Sequence, residues 1–147
     1  MIEDRSRTVG MVPQRCGNTQ SLSACKAVSV RQPWASMIAG LVPGYGKTIE
    51  TRTWPTNYRG PLLIVSSFKP DTPGMHWPRG EYHYGKALCM CELIACRPMT
   101  VEDCENARCD LYDGAWAWVL KDIRTIDPPQ AVKGRLRLYS VEFRMEN

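Results

Sequence analysis

The stretch that decides the fold reads GKTIETRTWPTNYRGPLLIV and covers residues 46–65. From Lys47 to Thr53, β-branched residues alternate with charged ones, which predicts a strand with two unlike faces. Pro55 to Gly60 is rich in turn-forming residues and predicts a loop. Pro61 to Ser67 is a nearly continuous apolar run, which predicts a central strand that is buried on both faces.

Outward from this stretch, the sequence pattern predicts further short strands and helices. Pro33 suits a first helical turn, because its missing N–H would have no partner there. Thr100 and Asp103 form a capping-box variant at the start of a second helix. A long loop is expected over residues 69–85, and a break at Pro128-Pro129. The other expected elements are a strand at 27–30, a helix at 34–39, a strand at 87–95, a helix at about 100–107, and strands at 115–120 and 135–143.

The order of these elements indicates the fold class. Strands outnumber helices and do not alternate regularly with long helices, which disfavours a doubly wound sheet. The pattern predicts an α+β fold, namely a small mixed β-barrel of five to six strands with two or three short helices at the rim. The 147 residues indicate one domain, which we place at residues 24–147. Residues 1–23 lack periodicity and are expected to form a flexible N-terminal extension.

Composition places the chain among globular proteins. Hydrophobic residues make up 44% of it, and no run approaches the ~18 apolar residues that a membrane helix needs. Its seven cysteines have no framework spacing and include no Cys-x-x-Cys pair. We therefore expect reduced thiols, no metal, no cofactor, no membrane partner and a cytoplasmic location.

Positive charge is concentrated in one part of the chain. Residues 26–69 hold six basic residues and one acid, whereas residues 92–113 hold two basic residues and six acids. One end of the molecule is therefore expected to attract phosphates. An ordinary mixed surface remains the alternative interpretation of the same counts.

The predicted strand after Gly46 carries the first group of candidate functional residues. Glu50, Arg52 and Trp54 share one face of this strand, and Lys47 lies at its mouth. A lysine beside partly apolar walls can act as a base or nucleophile, because burial favours its neutral form. The same pattern also fits an exposed ion pair between Glu50 and Arg52, which would contribute little to stability.

A second candidate group follows the strand at 27–30. Arg31 offers a guanidinium fork to a phosphate, and the amide of Gln32 can hydrogen-bond a base edge. Trp34 can stack on a base or lie in the core. The helix that begins here presents backbone N–H groups that favour anions.

Three further candidates lie outside these two groups. Tyr58 and Arg59 are loop residues of the types that contact nucleic acid, although the Tyr58 ring could equally close one end of the barrel. Glu92 lies on an apolar strand face, where a carboxylate is costly unless it is paired. Lys47 or Arg52 would be a natural partner for Glu92, and a solvent-exposed position is the alternative.

Three blocks of this chain, in this order, are similar to one known family. The blocks are SVRQPWAS at 29–36, GKTIETRTWP at 46–55 and YRGPLLI at 58–64, with shorter matches at 91–93, 118–120 and 132–134. Together they resemble the ASCH domain family, which is related to the PUA-like fold. The resemblance covers about residues 24–142. It implies a small β-barrel that binds RNA or DNA in a cleft lined by the segments of Arg31, Lys47, Glu50 and Arg52.

The resemblance also implies catalysis in some members. One branch, similar to this chain only in its Gly-x-Lys-Thr segment, hydrolyses acylated cytidine nucleosides with a lysine, a threonine and a glutamate. Carried over by position, the lysine corresponds to Lys47 and the glutamate to Glu92, whereas Glu50 occupies the threonine position. Another branch is described as a ribonuclease, again with a lysine near the centre of the cleft.

Three functions are compatible with these residues. The favoured one is a module that binds RNA, single-stranded DNA or a modified nucleotide through Arg31, Gln32, Trp34, Arg52, Trp54, Tyr58 and Arg59. The first alternative is a small hydrolase that acts on N4-acylated cytidine-type nucleosides or on RNA, with Lys47, Glu50 and Glu92 catalytic. The second is a protein-interaction module that binds no nucleotide. The sequence leaves the oligomeric state open.

Overall fold

The computed structural model describes residues 23–70 and 76–144. These residues form six strands and several short helices, joined by loops. None of the described helices is long and apolar enough to cross a membrane. The strands are β1 Ser23–Gln32, β2 Ile49–Arg52, β3 Gly60–Pro70, β4 Lys86–Pro98, β5 Trp116–Ala131 and β6 Leu138–Phe143. The helices are α1 Trp34–Ile38, a 3₁₀ turn Val101–Asp103, and α2 Cys104–Ala107.

The six strands form one mixed sheet in the order β2-β5-β4-β3-β1-β6. β1 and β3 run parallel, and the pairs β3–β4, β4–β5 and β2–β5 are antiparallel. The predicted α+β class with five to six strands and two or three short helices is thus confirmed. Among the described residues β2 and β6 are the sheet's two edges, so its hydrogen bonds do not close it into a barrel.

The backbone contacts divide the chain into two units. One unit spans residues 26–139 and contains the candidate site. The other combines residues 1–25 with 140–147, of which the structure describes 23–25 and 140–144. Apart from Ser23, the expected N-terminal extension lies outside the described residues.

Strand β3 is the centre of the core. Leu62, Leu63, Ile64 and Val65 are each at most 1% exposed, so the strand is buried on both faces as its unbroken apolar run predicted. Burying one such side chain contributes roughly 1.5–3 kcal/mol. Val28 and Val30 from β1, Leu88 and Leu93 from β4, and Trp118 from β5 belong to the same buried cluster as Leu62 and Ile64.

The ends of the helices follow the local sequence. Pro33 precedes the first residue of α1, and Gly40 follows the helix with a φ of 79°, a conformation that glycine adopts without strain. The Asp103 carboxylate accepts a hydrogen bond of 2.9 Å from the Thr100 backbone N–H. The capping box and the expected end of α1 are both confirmed.

The break expected at Pro128-Pro129 is wrong, because β5 continues through it to Ala131. Gln130 pairs with Ala87 of β4, and the next registered pair back along the strand is Thr125 with Cys89. Four residues of β5 therefore oppose a single residue of β4. Prolines are tolerated inside such a bulge, since no ladder hydrogen bond is needed from them there.

Candidate functional site

Two strands far apart in the sheet order meet at the candidate site. The Arg52 guanidinium, at the end of β2, donates a hydrogen bond to the backbone carbonyl of Ser29 in β1. Between the two strands lies a cavity of about 460 Å³, hereafter the main cavity. The charged and aromatic residues that line it are Arg31, Trp34, Lys47, Glu50, Arg52 and Tyr112.

Lys47 lies at the base of the main cavity and is 2% exposed. Its ammonium donates a hydrogen bond to the Ala107 carbonyl at the end of α2 and lies 3.6 Å from Glu50 Oε1. Burial lowers the pKa of Lys47 from its ordinary value, and the neighbouring Glu50 carboxylate opposes part of that change. The lysine is thus held in place, in a setting that favours its neutral form more than water does.

Glu50 is shared by two cations. Its side chain is 10% exposed, and Oε2 lies 3.2 Å from Arg52 Nε, although the N–H at Nε forms no well-directed hydrogen bond. A buried carboxylate is stable only with such partners. The exposed surface ion pair considered for Glu50 and Arg52 is therefore not what the structure shows.

Arg31 near the end of β1 and Trp34 at the start of α1 form the mouth of the cavity. Arg31 is exposed, and Trp34 is half-buried. The Trp34 indole N–H lies 3.4 Å from the Arg108 carbonyl that accepts its hydrogen bond, and its ring meets Trp77 edge-on with centroids 6.5 Å apart. These contacts fix the orientation of the indole along the cavity wall.

Gln32 follows Arg31 but takes no part in lining the cavity. It is fully buried, its Nε2 donates to the His83 carbonyl at 2.7 Å, and its Oε1 accepts from the Ser36 backbone N–H at 2.9 Å. Both ends of the amide are used inside the protein. The pairing of β1 with β3 is irregular between Val30 and Gln32, so simple strand alternation does not decide which way these side chains point.

Trp54 is half-buried against the core. It meets Trp118 edge-on at 4.9 Å, and the Arg137 guanidinium lies 4.2 Å from the centre of its ring. Trp54 is not among the residues that line the main cavity. Its ring therefore packs within the protein rather than facing the cavity.

Tyr58 and Arg59 lie at the other end of the sheet from the cavity. The Tyr58 hydroxyl donates to the Pro61 carbonyl at 2.5 Å, and its ring packs against the core. Arg59 donates to the Thr56 and Tyr58 carbonyls. Pro61 and Ser66 are five residue steps apart along β3, or roughly 17 Å at the usual rise per residue, and Ser66 adjoins the cavity residue Ser67.

The structure does not bring Glu92 to Lys47 or Arg52. Glu92 pairs with Pro61 and Lys121, at the end of the sheet where Tyr58 lies. Its neighbours Cys91 and Leu93 belong to the core cluster, so the Glu92 side chain points to the opposite face of β4. It is half-buried there and does not line the main cavity.

Two cavity residues that follow α2 were not predicted from the sequence. They are Cys109 and Tyr112, and the Cys109 thiol is 3.8 Å from the Thr51 hydroxyl. No local pattern indicates them, because they come from a loop whose approach to β2 is a tertiary contact. The described residues contain no group of three or more His, Cys, Asp or Glu side chains that could hold a metal ion.

Comparison with known proteins identifies a family and a similar fold for this chain. The ASCH domain model matches residues 28–130, and no curated protein matches the chain. One similar solved structure is the crystal structure of a tyrosine-to-phenylalanine mutant of ZmASCH from Zymomonas mobilis. It is 15% identical with a TM-score of 0.51, over 80% of this chain and 89% of that chain. At this identity the likeness shows the fold alone.

Proposed function

Because this chain belongs to the ASCH domain family, we propose that its main cavity binds one nucleotide unit of RNA or a free nucleotide, including one with a modified base. The observation that carries the proposal is the convergence of Arg31, Trp34, Lys47, Glu50 and Arg52 on one cavity. A cavity of about 460 Å³ falls within the ~300–1,000 Å³ that small-molecule sites usually have.

The side chains around the cavity suit the parts of a nucleotide. Arg31 lines the cavity and is exposed, and the planar fork of its guanidinium is well matched to a phosphate. The Trp34 ring offers a wall on which a base can stack. The buried Lys47 and Glu50 and the partly buried Arg52 present donors and acceptors to the polar edge of the base.

Charge supports an anionic ligand. Three cations and one carboxylate line the main cavity, so its net formal charge is 3 − 1 = +2. Binding of a phosphate-bearing ligand should therefore weaken as salt is added. A ligand without a phosphate should show little salt dependence.

The test measures the affinity of the four ribonucleoside monophosphates by calorimetry at low and moderate salt. Arg31→Gln is expected to weaken binding about tenfold, the loss of one charge-assisted hydrogen bond. Arg59→Gln is the matched control, since Arg59 is also an exposed arginine but lies at the other end of the sheet. It should leave the affinity unchanged. Equal effects of the two variants, or no binding of any nucleotide, would contradict the proposal.

A second candidate function is hydrolysis of an N4-acylated cytidine. The observation that favours it is the buried Lys47, whose pKa is lowered by burial and whose ammonium lies 3.6 Å from Glu50. Neutral Lys47 would take a proton from water as that water attacks the acyl carbon. The carbon–nitrogen bond then breaks, and the proton passes to the departing amine, giving a carboxylic acid and cytidine.

Glu92 has no role in this second candidate, because it lies on the other face of β4. Turnover of N4-acetylcytidine by the wild type and by Lys47→Ala separates the two functions. Turnover that disappears in the variant supports hydrolysis. No turnover by a wild type that binds nucleotides leaves binding as the function.

A further inference from the structure

A second cavity of about 470 Å³, hereafter the side groove, adjoins the main cavity. The two share Ser29, Ser67 and Leu136 in their walls. The side groove continues from there between the end of β3 and the segment that precedes β6. The two cavities therefore lie side by side on the surface.

Positive charge follows the same path. Lys69, Lys133 and Arg135 line the side groove and are exposed. No acidic side chain is among the described residues that line it. The cavity and the groove together present six cations and the single carboxylate of Glu50, which suits a chain of phosphates rather than one phosphate.

Phe68 provides an exposed aromatic surface in the groove. The side chain is 73% exposed, and its ring lies so close to Gly85 that a Cβ at Gly85 would come within 2.8 Å of three ring atoms. One side of the ring thus rests on backbone, while most of the ring is open to solvent. A supported, open ring beside cations is the arrangement on which single-stranded bases stack.

The far wall of the groove is attached to β1. The Ser29 hydroxyl lies 3.0 Å from the Tyr139 hydroxyl, within hydrogen-bonding distance, and 3.5 Å from the Arg135 carbonyl. A Cβ at Gly134 would lie 3.0 Å from the Ser29 hydroxyl oxygen, so the backbone passes closely there. Lys133 and Arg135 therefore extend from a segment held against the strand.

We infer that the side groove binds the nucleotides next to the one in the main cavity, so that the natural ligand is a single-stranded nucleic acid. This inference rests on the proposed function of the main cavity. The neighbouring base stacks on Phe68, and Lys133 and Arg135 contact the backbone phosphates. RNA and single-stranded DNA share this chemistry, and a direct comparison of their affinities distinguishes them.

The experiment measures fluorescence anisotropy of labelled RNA and DNA strands of about ten nucleotides, with the four nucleoside monophosphates measured in parallel. The variants are Phe68→Ala and the pair Lys133→Gln with Arg135→Gln. The matched control is Lys121→Gln with Arg124→Gln, which removes one lysine and one arginine from exposed positions on β5 outside both cavities.

The wild type is expected to bind a strand at least about tenfold more tightly than any monophosphate. Phe68→Ala should weaken strand binding about tenfold. The double variant Lys133→Gln with Arg135→Gln should also make the slope of log affinity against log salt concentration shallower by about 1.4. This is ~0.7 for each of the two phosphates that are no longer neutralised. Neither change should alter monophosphate affinity, and the control should retain the strand affinity of the wild type.

The results separate this inference from the proposed function. If monophosphates bind but strands bind no more tightly, or if the groove variants match the control, the groove inference is wrong and the cavity proposal stands. If neither strands nor monophosphates bind, the cavity proposal fails as well. Tighter binding of RNA than of DNA, or the reverse, supports the inference and identifies which strand the groove accepts.

Discussion

The buried carboxylate of Glu50 makes the sharpest prediction about stability. It lies 3.6 Å from the Lys47 ammonium and 3.2 Å from Arg52 Nε, with a side chain only 10% exposed. Glu50→Gln keeps the shape of the side chain and removes its charge, which leaves two cations without their shared partner. Removing one member of a buried ion pair typically costs ~3–5 kcal/mol.

The expected loss lies near the lower end of that range. Arg52 is 22% exposed, so solvent compensates part of its charge, whereas Lys47 is 2% exposed and has little access to water. We expect the free energy of unfolding to fall by about 3 kcal/mol, measured by urea denaturation followed by far-UV circular dichroism. The matched control is Glu102→Gln at an exposed position, which should change it by less than about 0.5 kcal/mol.

The pH dependence gives an independent check of the same group. Burial lowers the folded-state pKa of Lys47 below 10.5, so between that lowered pKa and 10.5 the unfolded chain binds more protons at this side chain. The contribution of Lys47 to stability therefore rises with pH across that window. Glu50 raises the pKa of Lys47, so in Glu50→Gln the rise should begin at a lower pH.

A double variant completes the test. Lys47→Met combined with Glu50→Gln removes the stranded ammonium and should recover at least about 1 kcal/mol of the loss. If Glu50→Gln were as stable as Glu102→Gln, or if adding Lys47→Met increased the loss, the carboxylate would not hold the two cations as described.

Two further predictions concern residues outside the cavity. Gln32→Ala should lower the free energy of unfolding by ~2–3 kcal/mol in urea, because it removes the partners of the buried Ser36 N–H and the partly buried His83 carbonyl. An unchanged midpoint would contradict this. Asp103→Asn should cost ~1–2 kcal/mol at neutral pH. The hydrogen bond from Arg97 is the main reason that the pKa of Asp103 is lowered from 3.8 to about 2. The stability that this carboxylate contributes to the wild type is therefore lost as the pH falls from 3.8 to about 2. If Asp103→Asn lost as much stability as the wild type over that pH range, the assignment would be refuted.

The parts of the fold that depend on local sequence were predictable. The apolar run of β3, the proline and glycine around α1, and the Thr100 capping box each determine their own neighbourhood. The continuation of β5 through Pro128-Pro129 was not predictable, because it depends on a bulge opposite β4 that only the assembled sheet provides.

The site was predictable to the extent that its residues are adjacent in sequence. Arg31, Lys47, Glu50 and Arg52 come from two short segments, and all of them line the main cavity. Which face of a strand each side chain takes was harder to predict. Gln32 and Glu92 each follow a residue whose side chain points elsewhere. An error of one residue in the predicted alternation therefore reverses the predicted direction of their side chains.

The central claim is that a nucleotide occupies the main cavity, and a crystal structure with a bound ribonucleoside monophosphate tests it most directly. The account predicts density for the base along Trp34, beside Lys47 and Glu50, with the phosphate at Arg31. A nucleotide bound elsewhere, such as at Tyr58 and Arg59, with the main cavity occupied by solvent alone, would contradict it.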